Sequence, residues 1–226
     1  MAQTPTLRTP VLKILRVATF HDEALATFSD AEHARLRARN ETATTQLATC
    51  RDEYEASVLA LSRPRARVAI VDRAADREID LLDLAVRHAD GGKPGALHDR
   101  IFPRGKTAIV QPVGATEVAA LGELIRALDA GGGPLRDEWL PRITAARDRY
   151  ESALADRERA RGLCAVRRAA LDEARRVWID CYKQNQGALR ELHASDKRTF
   201  ESFFDDVDPP TGSGGEKDEG DPSDGT

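Results

Sequence analysis

Aromatic residues are scarce in this chain: two Trp, three Tyr and six Phe make up 5% of 226 residues. With 41% hydrophobic and 32% charged residues, mostly Ala, Leu, Arg, Asp and Glu, the balance favours long helices over sheets. Cysteine is equally sparse. Cys50, Cys164 and Cys181 form no Cys-x-x-Cys pair, which excludes a disulfide framework and suits a reducing compartment. No apolar run reaches the roughly 18 residues that a membrane span needs. The short stretch Val11 to Val17 is interrupted by Lys13 and Arg16 and has no small-residue cleavage site after it, so the expectation is a cytoplasmic protein that contacts no membrane.

Glycine and proline are missing where they would break helices. From Phe20 to Asp90 there is no Gly and only Pro64, and Gly91-Gly92-Lys93-Pro94-Gly95 then stops the pattern. The expected class is therefore all-α, with an N-terminal segment 1–19 that is extended and a helical body 20–204. That body holds a long helix 20–90, a linker 91–114, a short helix 115–130, a long helix 135–192 and a Phe-rich end 198–204. Apolar residues Leu47, Cys50, Tyr54, Val58 and Leu61, then Val68, Val71, Ala75, Ile79, Leu82, Val86 and Ala89, form one seam. Leu140, Ile143, Tyr150, Leu154, Leu163, Val166, Ala170, Val177 and Cys181 form another. Long amphipathic helices of this kind pair antiparallel, as a kinked helical hairpin or a four-helix bundle. The seam keeps its phase across Pro64, which favours a kink there over a reversal. Thr107-Ala108-Ile109-Val110 reads as a strand that pairs with Val11 to Val17.

The charge distribution is uneven. Asp205 to Thr226 holds eight acidic residues and one Lys, a charge of −7, which leaves +3 for the rest of a chain whose total is −4. With three Pro, five Gly and almost no apolar side chain, residues 205–226 read as a disordered acidic tail. A shift of 96 positions brings Arg51, Asp52, Tyr54 and Glu55 onto Arg147, Asp148, Tyr150 and Glu151. Either an internal duplication or the biased composition of two amphipathic helices accounts for this.

Several chemistries are excluded by what stands beside the candidate groups. None of the five His follows a Glu by three positions, so no di-iron Glu-x-x-His site is built. His98-Asp99 reads as a solvated loop pair. The glycines at 91–95 and 131–133 lack the Lys-Ser/Thr of a phosphate loop and read as turns. Trp139 and Trp178 sit among apolar neighbours at helical spacing and read as core. No metal, cofactor or catalytic residue is assigned.

Two groups remain as interaction candidates. Arg63, Arg65 and Arg67, with Arg159 and Arg161 on the second long helix, form either a basic face or a solvated one laced with salt bridges. Phe200, Phe203 and Phe204 hold half of the Phe within five residues. They form either an internal anchor, the favoured reading because aromatic core material is scarce, or an exposed hook for a partner.

The linker Phe102-Pro103-Arg104-Gly105-Lys106-Thr107-Ala108, the closing Arg198-Thr199-Phe200-Glu201-Ser202-Phe203-Phe204 and the segment Ser62 to Arg77 with its Asp72-x-x-x-Asp76-Arg77 resemble uncharacterised long-helix proteins of bacteria and bacterial helical domains of unknown function. The resemblance covers most of residues 20–204 and implies a helical fold and bacterial origin, with no activity attached. The functional expectation is a non-enzymatic helical scaffold that binds a protein partner, itself or another. The alternative is a nucleic-acid-associated protein whose tail competes for the Arg-rich face.

Overall fold

The computed structural model describes residues 4–205, and among them there is no strand. The order is α1 (Val11–Ala26), α2 (Ala31–Ala60), α3 (Ser62–Ala89), α4 (Ala96–Ile101), α5 (Thr107–Val110), α6 (Ala115–Gly131), α7 (Arg136–Leu192) and α8 (Lys197–Ser202). The all-α expectation is met. Apart from Asp205, the acidic tail lies outside the described residues.

Two features differ from the sequence reading at the N-terminus. Residues 11–19 are helical, and so is Thr107–Val110, so neither supplies a strand. The reason for the first is visible in the spacing: Ile14, Val17, Ala18, His21 and Leu25 recur at three and four and are all buried. Second, the long helix expected from residue 20 is broken before residue 31. There Asp30 accepts hydrogen bonds on Oδ1 from the Glu32 and His33 N–H groups, both at 3.1 Å, which caps a new helix.

Pro64 does not reverse the chain. Leu61 keeps right-handed helical dihedrals (φ −64°, ψ −20°), and its N–H still reaches the Ser57 carbonyl at 3.2 Å. Gly91 and Gly92, at φ 88° and 93°, end α3 in the left-handed region that favours glycine. The expected linker then contains α4 and α5, anchored when the Asp90 carboxylate accepts from the N–H groups of Gly95, Leu97 and His98. Those donors hold the Asp90 carboxyl below its ordinary range, the His98 N–H most of all.

The chain divides into two compact units, Met1–Arg51 with Leu171–Thr226, and Asp52–Ala170. In the first, Ile14, Val17, Leu25, Leu36, Leu47, Trp178, Tyr182 and Leu189 are buried. Polar groups of its interior bond across helices: Asn40 donates to the Ala18 carbonyl at 3.0 Å, and Trp178 Nε1–H donates to Thr44 Oγ1 at 3.0 Å. In the second, Ala75, Ile79, Leu82 and Val86 of α3 pack with Leu121, Leu124 and Leu128 of α6 and with Trp139 and Ile143 of α7. Phe102 and Ile101 close that core.

The expected seams are only partly inside. Val58, Leu163, Val166 and Val177 are exposed, at 45%, 53%, 65% and 41%. On Ala-rich helices more than one stripe carries apolar residues, and packing buries the stripe whose neighbours fit.

Candidate functional site

Within the second unit, α2 and α3 exchange ion pairs with α7. Glu53 meets Arg167 at 2.7 Å, Arg67 meets Asp156 at 3.2 Å and Glu78 meets Arg142 at 2.8 Å. Arg159 also turns onto Asp156. Of the five arginines singled out in the sequence, Arg67 and Arg159 are thus tied to one carboxylate, and the basic face is not continuous. Arg63 is exposed.

Arg65 and Arg161 instead meet around a hollow of about 550 Å³, together with Arg157. Arg65 comes from the first turn of α3; Arg157 and Arg161 stand one turn apart on α7, so both point to the same side. Val68, Asp72, Val113, Gly114 and Tyr150 also line the hollow. Arg157 Nε is buried and has no acceptor among the described residues. Arg161 has only Glu158, at 3.7 Å.

Against Tyr150 and Asp72 of that lining lies Glu117, in the first turn of α6 and 1% exposed. Its carboxyl group faces Tyr150 and Asp72, with Asp76 close by. Burial pushes it up to about 7, opposed by the Tyr150 hydroxyl and reinforced by Asp72 and Asp76. Tyr150 is held in place by the Gly114 N–H, which donates to its hydroxyl oxygen at 2.9 Å. Gly114 can present that N–H because it sits at φ 67°. Tyr54, the residue matched to Tyr150 by the 96-residue shift, is half-buried under the Arg168 guanidinium instead.

Sequence reasoning missed Glu117, because an acidic residue in a first helical turn is ordinarily a solvated dipole partner. His98, expected in a solvated loop, is not in one. It lies in α4, buried, with Nε2 3.0 Å from Asp83 Oδ1, while Arg87 binds the other oxygen of Asp83 at 3.0 Å.

In the first unit the Phe cluster divides. Phe203 and Phe204 are buried and Phe200 is half-buried. Phe203 packs on Phe28 and His33, and Phe204 stacks on His21 at 5.5 Å between ring centroids. His33 Nε2 lies 3.0 Å from His193 Nε2, while Asp30 holds His33 Nδ1 at 2.6 Å.

A different surface stands out for its chemistry. Leu59 (75%) and Ile70 (66%) are exposed on the outer side of the α2 to α3 path, with Leu81 and Leu84 continuing the line. Steps of eleven and three residues, close to whole helical turns, keep these residues near one helical face. Leu163 and Val166 do the same on α7.

Among the described residues, no group of three or more His, Cys, Asp or Glu is arranged to hold a metal ion, and no helix is long and apolar enough to cross a membrane. Comparison with protein-family models, with curated proteins and with solved structures finds no match to this chain.

Proposed function

We propose that this chain is a non-enzymatic helical scaffold that binds a protein partner through the outer faces of its long helices. The single observation that carries the reading is the exposed apolar line Leu59, Ile70, Leu81 and Leu84, matched on α7 by Leu163 and Val166. Scattered apolar residues on a surface need no explanation, but residues that recur near one helical face form a stripe against which another helix fits. An antiparallel pairing of α3 with α7 is supported by the ion-pair ladder, whose residue numbers rise on α3 as they fall on α7. The unpaired cysteines fit a reducing, cytoplasmic setting.

The test is a variant carrying Leu59→Lys, Ile70→Lys and Leu163→Lys in the full chain. Self-association is read by sedimentation, and other partners by affinity capture from the native cell with mass spectrometry. The expected result is loss of self-association or of a defined partner with melting unchanged. A triple variant that keeps every interaction of the parent chain overturns the proposal.

A further inference from the structure

We propose that the hollow between Arg65 on α3 and Arg157 and Arg161 on α7 is a binding site for a small phosphorylated molecule. The inference is independent of the partner-binding reading, since it concerns a concave polar site and not the apolar outer line.

Three observations carry it. First, the three arginines around the hollow lack firm partners, Arg65 and Arg161 being exposed and Arg157 half-buried. Elsewhere in the same unit Arg67, Arg142 and Arg167 each sit within 3.2 Å of a carboxylate. Around the hollow, Arg65 and Arg157 have no carboxylate partner among the described residues, and Arg161 has only the 3.7 Å contact to Glu158. Second, Arg157 Nε is a buried donor without an acceptor. An exposed guanidinium is solvated at little cost, but a buried N–H with no acceptor is destabilising, and an anion oxygen removes that penalty. Third, the size and lining fit a ligand of this kind. About 550 Å³ falls within the range of about 300–1,000 Å³ for small-molecule sites.

The lining also sorts the ligand's parts. Guanidinium forks match phosphate oxygens in pairs, and three of them from two helices surround a compact multiply charged group better than a single carboxylate. Val68 and Val113 offer apolar wall to a carbon body. Asp72, also in the lining, repels a phosphate and accepts from a hydroxyl or amino group.

The experiment is calorimetric titration of the full chain with inorganic pyrophosphate at low salt, repeated with Arg65→Gln, Arg157→Gln, Arg157→Lys and Arg126→Gln. Arg126 is an exposed arginine of α6 outside the hollow. Circular dichroism and melting show that each variant is folded before titration. Saturable binding is expected, weakened about tenfold or more by either Gln variant at the hollow. Arg157→Lys keeps the charge and loses the fork, so intermediate weakening is expected. Arg126→Gln is expected to bind as the parent does.

Absence of saturable binding overturns the proposal. So does equal weakening by Arg126→Gln, which marks general attraction to positive charge. A third arm uses a duplex oligonucleotide: binding that depends on Arg65 and Arg157, without pyrophosphate binding, moves the site to nucleic acid and overturns the small-ligand assignment.

Discussion

His21 and Phe203, 182 residues apart, are joined by a hydrogen bond of 3.0 Å from the imidazole Nδ1–H to the Phe203 carbonyl oxygen. The other ring nitrogen, Nε2, accepts from the Asn185 amide at 3.2 Å, and the same amide nitrogen donates to the Leu36 carbonyl. The ring is therefore neutral, and its two bonds tie the end of the described chain to α1, α2 and α7. Burial lowers the His21 pKa, against opposing contributions from the Phe203 carbonyl and Asp22.

A pH dependence follows from that direction. In the folded state His21 binds a proton less readily than in the unfolded chain, so its contribution is fully present above about 6.5 and is lost as pH falls below that value. Protonation at Nε2 would also set two donors, His21 and Asn185, against each other. Urea midpoints of the parent and of His21→Gln, measured from pH 8 down to pH 5, should converge as the pH drops. A gap that stays constant across the series contradicts this.

Glu117 has the opposite sign. Its carboxyl is raised to about 7, so the folded state holds a proton that the unfolded state releases above about 4.5. Stability tied to this group is complete below 4.5 and lost as pH rises through 7. Glu117→Gln should match the parent chain at pH 4.5 and exceed it at pH 8.5, read by denaturant midpoints. Equal midpoints at both pH values would show that the carboxyl is not buried against Asp72 and Asp76.

The three phenylalanines at the C-terminal end should separate on substitution. Phe203 is fully buried, and Phe203→Ala should cost about 3–5 kcal/mol. Phe200 is half-buried with Arg190 over its ring at 5.6 Å, and Phe200→Ala should cost far less. Chemical denaturation of the two variants against the parent chain measures the difference, and equal losses would be inconsistent with these positions.

Pro64→Ala should stabilise the second unit. A proline in the third position of α3 withholds the N–H that the Ala60 carbonyl would accept, while Leu61 on the near side keeps helical dihedrals. Alanine restores that donor without moving the chain, and a modest gain is expected, because a proline in a first turn costs less than one in a helix interior. A raised melting temperature with slightly stronger helical ellipticity is expected; a lowered one would mean that the kink itself is required by the packing.

The helical class was legible in the sequence, and so were the ends of α3 and α6, because Gly and Pro act within a turn or two of where they stand. The cap at Asp30 was legible in principle but was hidden by the lack of any Gly or Pro nearby. The burial of Trp139 and Trp178 followed from their apolar neighbours. Among the candidate site residues, the types were visible and the grouping was not: Arg65 and Arg161 are 96 positions apart, and only folding sets Arg65 beside Arg157 and Arg161.

What the amino-acid order determined alone is local: which stretches are helical, where they stop, and which chemistries lack their residues. Tertiary packing decided the rest. It chose which apolar stripe of α2, α3 and α7 faces inward, leaving Leu59, Ile70 and Leu163 outside, and it buried Glu117 while leaving Arg157 without an acceptor. The physical reason is range. Helix formation and capping depend on groups within four residues of each other, whereas burial, and with it the charge state of a buried group, depends on partners that the chain supplies from a hundred residues away.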